Sequence, residues 1–118
     1  MREELRDPGR LEHILMAINN VLVFMDGHSK EDLEKDKLLF YGVVKNVEIV
    51  GEASYMLTND FKDKHPLTKW DQIIRMRHIL VHGYYQIEVP ELWNIVQNDL
   101  QPLRAQVTEY LKEFDTKS

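Results

Sequence analysis

The chain of 118 residues has the length of one domain and no cysteine, which excludes disulfides, thiolate metal centres and cysteine nucleophiles. Its net charge of −5 excludes a surface that binds nucleic acid indiscriminately, because such binding draws on clustered cations. No run approaches the roughly 20 apolar residues of a bilayer span, and the charged stretch from Met1 to Arg10 precedes no signal-like apolar core, so a cytoplasmic protein without membrane partners is expected.

The first element follows Pro8 and Gly9. Leu11, Leu15, Ile18, Leu22 and Met25 recur with gaps of four and three, which place them on one stripe of a helix ended by Gly27. A second stripe, Ile14, Ala17, Val21 and Phe24, widens the apolar surface beyond the need of one neighbour and suggests a partner subunit. Ser29 is placed to cap a short acidic helical turn through Lys37. Val43, Val47, Val50, Ser54 and Leu57 then repeat the helical spacing, with Glu48 and Glu52 one turn apart beside them.

His65-Pro66 interrupts the pattern. Thr68 suits the N-cap of a helix that runs from Lys69 through Ile73, Ile74, Ile79 and Leu80 and ends at Gly83. Pro90 suits the first turn of a last helix, whose stripe is Leu92, Val96, Leu100, Leu103, Val107, Tyr110 and Phe114, with a kink expected at Pro102. No repeat, low-complexity tract or strand-like alternation is present. The pattern predicts an all-α, up-and-down bundle of four principal helices plus a short helical turn, in a single domain spanning residues 1–118.

Charge is uneven along this bundle. Between Lys62 and His82 five cations (Lys62, Lys64, Lys69, Arg75, Arg77) face two acids (Asp63, Asp71), so positive potential gathers in one fifth of an otherwise acidic chain. The densest ionisable cluster closes that segment, from Arg75 to Tyr85. His78 and His82, four apart, share a helical face and can offer two imidazoles to a metal, but no His-Glu-x-x-His motif accompanies them and a third ligand would have to come from Glu48 or Glu52. Arg77 and His82 are five apart, about 140° around an ideal helix, so they do not face one another directly. In a cleft completed by a two-fold partner, guanidinium would hold a phosphodiester and imidazole would move protons, chemistry that suits RNA cleavage because RNA brings its own 2′-hydroxyl nucleophile. Spacing alone favours the ordinary alternative, in which Arg77 pairs with an acid and His82 bonds near the helix end.

Arg77, four residues, His82, Gly83, Tyr84 resembles the arginine, four residues, histidine, any residue, tyrosine signature of the HepT-like ribonuclease toxins of the HEPN superfamily. The likeness extends through Val47-Glu48-Ile49-Val50-Gly51-Glu52-Ala53, Phe61-Lys62-Asp63-Lys64-His65-Pro66, Trp70, Ile73-Ile74, Trp93 and Pro102-Leu103, and covers about Leu11 to Leu111. It departs after the tyrosines, where Gln86-Ile87-Glu88-Val89 lacks the aspartate often found there. The resemblance implies a homodimer with the active groove between subunits, Arg77 and His82 as the ribonuclease pair and His78 as a supporting polar residue. It also implies an MntA-like nucleotidyltransferase antitoxin that transfers AMP to Tyr84.

The expected function is a toxin-antitoxin ribonuclease acting on RNA, including tRNA, that needs no metal and no cofactor. Two other readings fit the same residues: a non-catalytic partner that docks a minimal nucleotidyltransferase, and a structural dimerisation domain in which the cluster merely caps a helix.

Overall fold

Each end of the first long helix is set by one residue with restricted or unusual backbone freedom. In the computed structural model, which describes residues 6–83 and 89–115 with the side chains of 77–83 and 115 excepted, α1 spans Asp7–Met25 with Pro8 in its first turn. It stops before Gly27, whose φ of 77° lies in the left-handed region that side-chain-bearing residues enter at a cost. Leu11, Ile14, Ala17, Ile18, Val21 and Met25 are all buried. Three members of the second stripe therefore belong to this chain's own core, which corrects the expectation that they form a partner surface. Only Phe24, 40% exposed, reaches the outside, where its ring edge lies against Gly42.

A reciprocal cap starts α2, Lys30–Lys35. The Asp32 N–H donates to Ser29 Oγ at 3.3 Å and the Ser29 N–H donates to Asp32 Oδ2 at 2.9 Å, as the placement of Ser29 led one to expect. The bond from the Ser29 N–H, with His28 Nδ1 at 3.0 Å, holds the Asp32 carboxyl below its usual pKa. Asp36 caps α3, Lys37–Met56, by accepting from the Leu39 N–H at 3.1 Å. The whole expected stripe of Val43, Val47, Val50, Ser54 and Leu57 is buried. Within the α1–α3 contact Asn20 Nδ2 donates to Asn46 Oδ1 at 3.1 Å, and Asn46 Nδ2 donates to the Gly42 carbonyl at 2.9 Å, so this half-buried amide pair has partners.

A short helix that the hydrophobic pattern did not announce, α4, spans Asn59–Lys64. Thr58 caps it by accepting from the Phe61 N–H at 3.1 Å. The same residue is anchored to the start of α1: its hydroxyl donates to Asp7 Oδ2 at 2.7 Å and its N–H to Asp7 Oδ1 at 3.0 Å. Helix α5, Trp70–Gly83, packs chiefly on α3, while α1 packs on α3 and on the last helix. That last helix is continuous in three pieces: α6 (Val89–Asn94), a π-helical turn (Ile95–Asp99) and α7 (Leu100–Asp115). The π turn precedes Pro102, where the sequence predicts a kink, and in it the Leu100 N–H bonds to the Ile95 carbonyl five residues back. The stripe from Leu92 through Tyr110 is buried along its length, with Phe114 partly so. All regular structure among the described residues is helical, and four long helices carry the core, an all-α bundle of the expected class.

Candidate functional site

The helix that carries the signature is oriented by its first half. Trp70, Ile73 and Met76 are buried, whereas Asp71, Gln72 and Arg75 are exposed. Two turns on, position 77 lies seven residues after Trp70, and positions 78 and 82 lie seven after Asp71 and Arg75, so the backbone sets 77 and 82 at different angles around the helix axis. The backbone phase thus separates Arg77 from His82 within one chain, as the spacing of five implied. The side chains of Arg77, His78 and His82 lie outside the described residues, as does all of Tyr84.

What holds this helix in place is an aromatic and polar latch around its N-terminus. The Phe61 ring stacks on His65 at 4.0 Å and meets Tyr110 edge-on at 5.8 Å and Trp70 at 6.2 Å. Trp70 Nε1 donates to the His65 carbonyl at 3.0 Å. Imidazole His65 is itself held at both nitrogens, Nδ1 2.8 Å from the Phe61 carbonyl and Nε2 3.0 Å from Glu113 Oε1. Thr68 turns inward: its hydroxyl donates to Gln106 Oε1 and shares a second 2.6 Å bond with the Tyr110 hydroxyl. Its side chain therefore joins α5 to α7, and the helix begins at Trp70, one residue later than a Thr68 N-cap would place it. The segment Phe61–Pro66, singled out only as a sequence likeness, supplies this latch.

Two recesses flank the first turn of α5. One is an open groove of about 630 Å³ between α4 and α5, lined by Asn59, Lys62, Asp63, Lys69, Asp71 and Arg75 among others. Neither Lys62, Lys69 nor Arg75 makes an ion pair among the described residues; Lys62 Nζ lies 3.4 Å from the Tyr55 carbonyl. The other, about 230 Å³, lies between α5 and the last helix, with Ile73, Met76 and Leu103 against Asn98, Asp99 and Gln106. Burial there pushes the Asp99 carboxyl above its usual pKa.

Of the carboxylates weighed as a third metal ligand, Glu48 is half-buried and 3.8 Å from Lys45 Nζ, and Glu52 is exposed. Among the described residues no three His, Asp or Glu side chains converge as a metal site would require. No helix among them is long and apolar enough to cross a membrane.

A four-helix core with short capping helices, carrying an arginine-histidine-tyrosine motif where its third long helix ends, defines a class of small all-helical proteins. The family model described as HepT-like ribonuclease matches residues 14–110. This chain belongs to the HepT-like ribonuclease family. It is 34% identical over 97 residues to a protein of Methanocaldococcus jannaschii named as a candidate RNase, covering 82% of this chain and 89% of that one. A protein of Thermococcus cleftensis named as a candidate HepT ribonuclease is 36% identical over 102 residues, covering 86% and 93%. A candidate RNase of Caldanaerobacter subterraneus is 34% identical over 103 residues, covering 87% and 92%. No solved structure matches the chain.

Proposed function

We propose that this chain is the ribonuclease toxin of a cytoplasmic toxin-antitoxin pair, cutting RNA, including tRNA, without a metal ion or other cofactor. The observation that carries this reading is the signature itself, Arg77 to Tyr84, at the end of the long helix α5 in a chain of the HepT-like ribonuclease family.

Cleavage requires a proton to leave the 2′-hydroxyl, its oxygen to attack the adjacent phosphorus, and the 5′-oxygen to depart with a proton. His82 is assigned the proton transfers, since imidazole titrates near neutrality. Arg77 is assigned the charge that builds on the phosphorane oxygens, for which a planar guanidinium offers paired donors. His78, three residues after Arg75 and four before His82, is the supporting residue that orients the pair. Because the helix phase separates positions 77 and 82, the mechanism needs a homodimer whose two-fold axis brings residues of both subunits to one phosphate.

Control is assigned to Tyr84. An MntA-like nucleotidyltransferase antitoxin transfers AMP from ATP to its hydroxyl with release of pyrophosphate, and the added bulk and negative charge beside the groove repel RNA phosphate.

The test is incubation of the purified protein with total RNA and with tRNA, with and without chelator. Wild type is expected to cut under both conditions, and His82→Ala to lose about 100-fold or more of the rate, the usual contribution of a proton-transferring side chain. Unchanged cleavage by His82→Ala removes its assigned role. Absence of cleavage by wild type at any concentration favours the docking-partner reading instead.

A further inference from the structure

The open groove between α4 and α5 combines three features that bear on an RNA ligand. It is lined by three cations with no ion pair among the described residues, Lys62, Lys69 and Arg75, in a chain whose net charge is −5. Lys69 immediately precedes the helix that carries the signature, and Arg75, in its second turn, lies seven residues before His82, on the same side of α5 and about 10.5 Å away along its axis. The latch of Phe61, His65, Trp70 and Tyr110 behind the groove fixes α4 against α5, so the cations are presented on a preformed surface.

Asp63 and Asp71 line the same groove. With three cations against two acids it is a poor trap for polyanions in general, and its value lies in discrete contacts between one side chain and one phosphate. We propose that this groove carries the phosphate backbone of the RNA beyond the cleaved bond, with Lys62, Lys69 and Arg75 each contacting one phosphate. The inference rests on the ribonuclease reading and assigns the direction in which the substrate strand leaves the site. These three residues position substrate and take no part in the bond-making step.

The experiment uses a fluorescent single-stranded 2′-O-methyl oligonucleotide, which lacks the free nucleophile and stays intact, titrated with full-length protein at several salt concentrations. Each phosphate contact in a single strand contributes about −0.7 to the slope of log affinity against log salt. The triple variant Lys62→Gln, Lys69→Gln, Arg75→Gln should flatten that slope by about 2 and weaken binding about 100-fold at 0.1 M salt. A charge-matched control, Lys30→Gln, Lys35→Gln, Lys37→Gln, changes two residues of α2 and the first of α3, none of which lines the groove, and should bind like wild type. With cleavable RNA the groove variant should raise KM and leave kcat within about threefold, whereas His82→Ala should lower kcat.

Thermal melts of both triple variants check that the exposed substitutions leave the fold intact. If groove and control variants bind alike while wild type cuts RNA, the groove assignment is overturned and the ribonuclease reading stands. If wild type neither binds nor cuts RNA, both fall together.

Discussion

Replacing Thr68 by valine keeps the shape of the side chain and removes only its hydroxyl, at a position that is 3% exposed. Two hydrogen bonds to the last helix disappear, one to Gln106 Oε1 and one to the Tyr110 hydroxyl, each 2.6 Å long. A typical bond of this kind contributes about 1 kcal/mol net, and a stranded buried hydroxyl costs about 1–3 kcal/mol more. Tyr110 is 7% exposed and its hydroxyl has no other bond to a described residue, whereas Gln106 is half-buried and can turn to water. The expected loss is therefore about 2–3 kcal/mol, a drop of roughly 1–2 M in the urea midpoint for a domain of this size. Adding Tyr110→Phe removes the stranded group, so the double variant should be about 1 kcal/mol more stable than the sum of the two single changes allows. The assay is urea unfolding followed by far-ultraviolet circular dichroism, with all four proteins compared at one slope. A Thr68→Val loss under about 0.5 kcal/mol, or strictly additive effects, would refute the claim that this hydroxyl joins α5 to α7.

Gly27→Ala should cost about 1–2 kcal/mol in a thermal melt, entirely from its φ of 77°, since an added Cβ there meets nothing within 4 Å; Gly27→Asn should cost less. Thr58→Ala should lose the α4 cap and the link to Asp7, about 1–2 kcal/mol, and Thr58→Ser should recover most of it, as read by urea midpoints. Because the Asp32 pKa is lowered in the folded state, its contribution is complete above the ordinary aspartate value of 3.8 and is lost as pH falls through the depressed folded value. The stability difference between wild type and Asp32→Asn should accordingly be constant from pH 5 upward and shrink only below about pH 4, a comparison made by thermal melts across that range.

The long helices were legible because each must bury one continuous face, and a face of an α-helix writes itself as gaps of three and four. That is why Val43, Val47, Val50, Ser54 and Leu57 are all buried, and why the stripe from Leu92 to Tyr110 is too. Helix α4 leaves no such mark for the same reason in reverse: its 6 residues bury only Phe61, and one apolar residue has no period. The second stripe of α1 suggests a partner surface only when its width is set against one neighbour, whereas α1 packs on both α3 and α7. The excess of cations between Lys62 and His82 was visible as composition, but that Lys62, Lys69 and Arg75 line one groove depends on α4 folding back beside α5.

By itself the sequence determined the four long helices, the caps at Ser29 and Gly27, and the family signature at Arg77, His82 and Tyr84, all of which are local patterns set by backbone periodicity, backbone freedom or residue identity. Only the tertiary structure decided that Thr68 serves the last helix, that Asp7 meets Thr58 from 51 residues away, and that three cations share a groove beside the signature helix. Those relations are contacts between segments remote in the chain, and the direction a side chain takes there is chosen by whichever neighbour the fold brings to it.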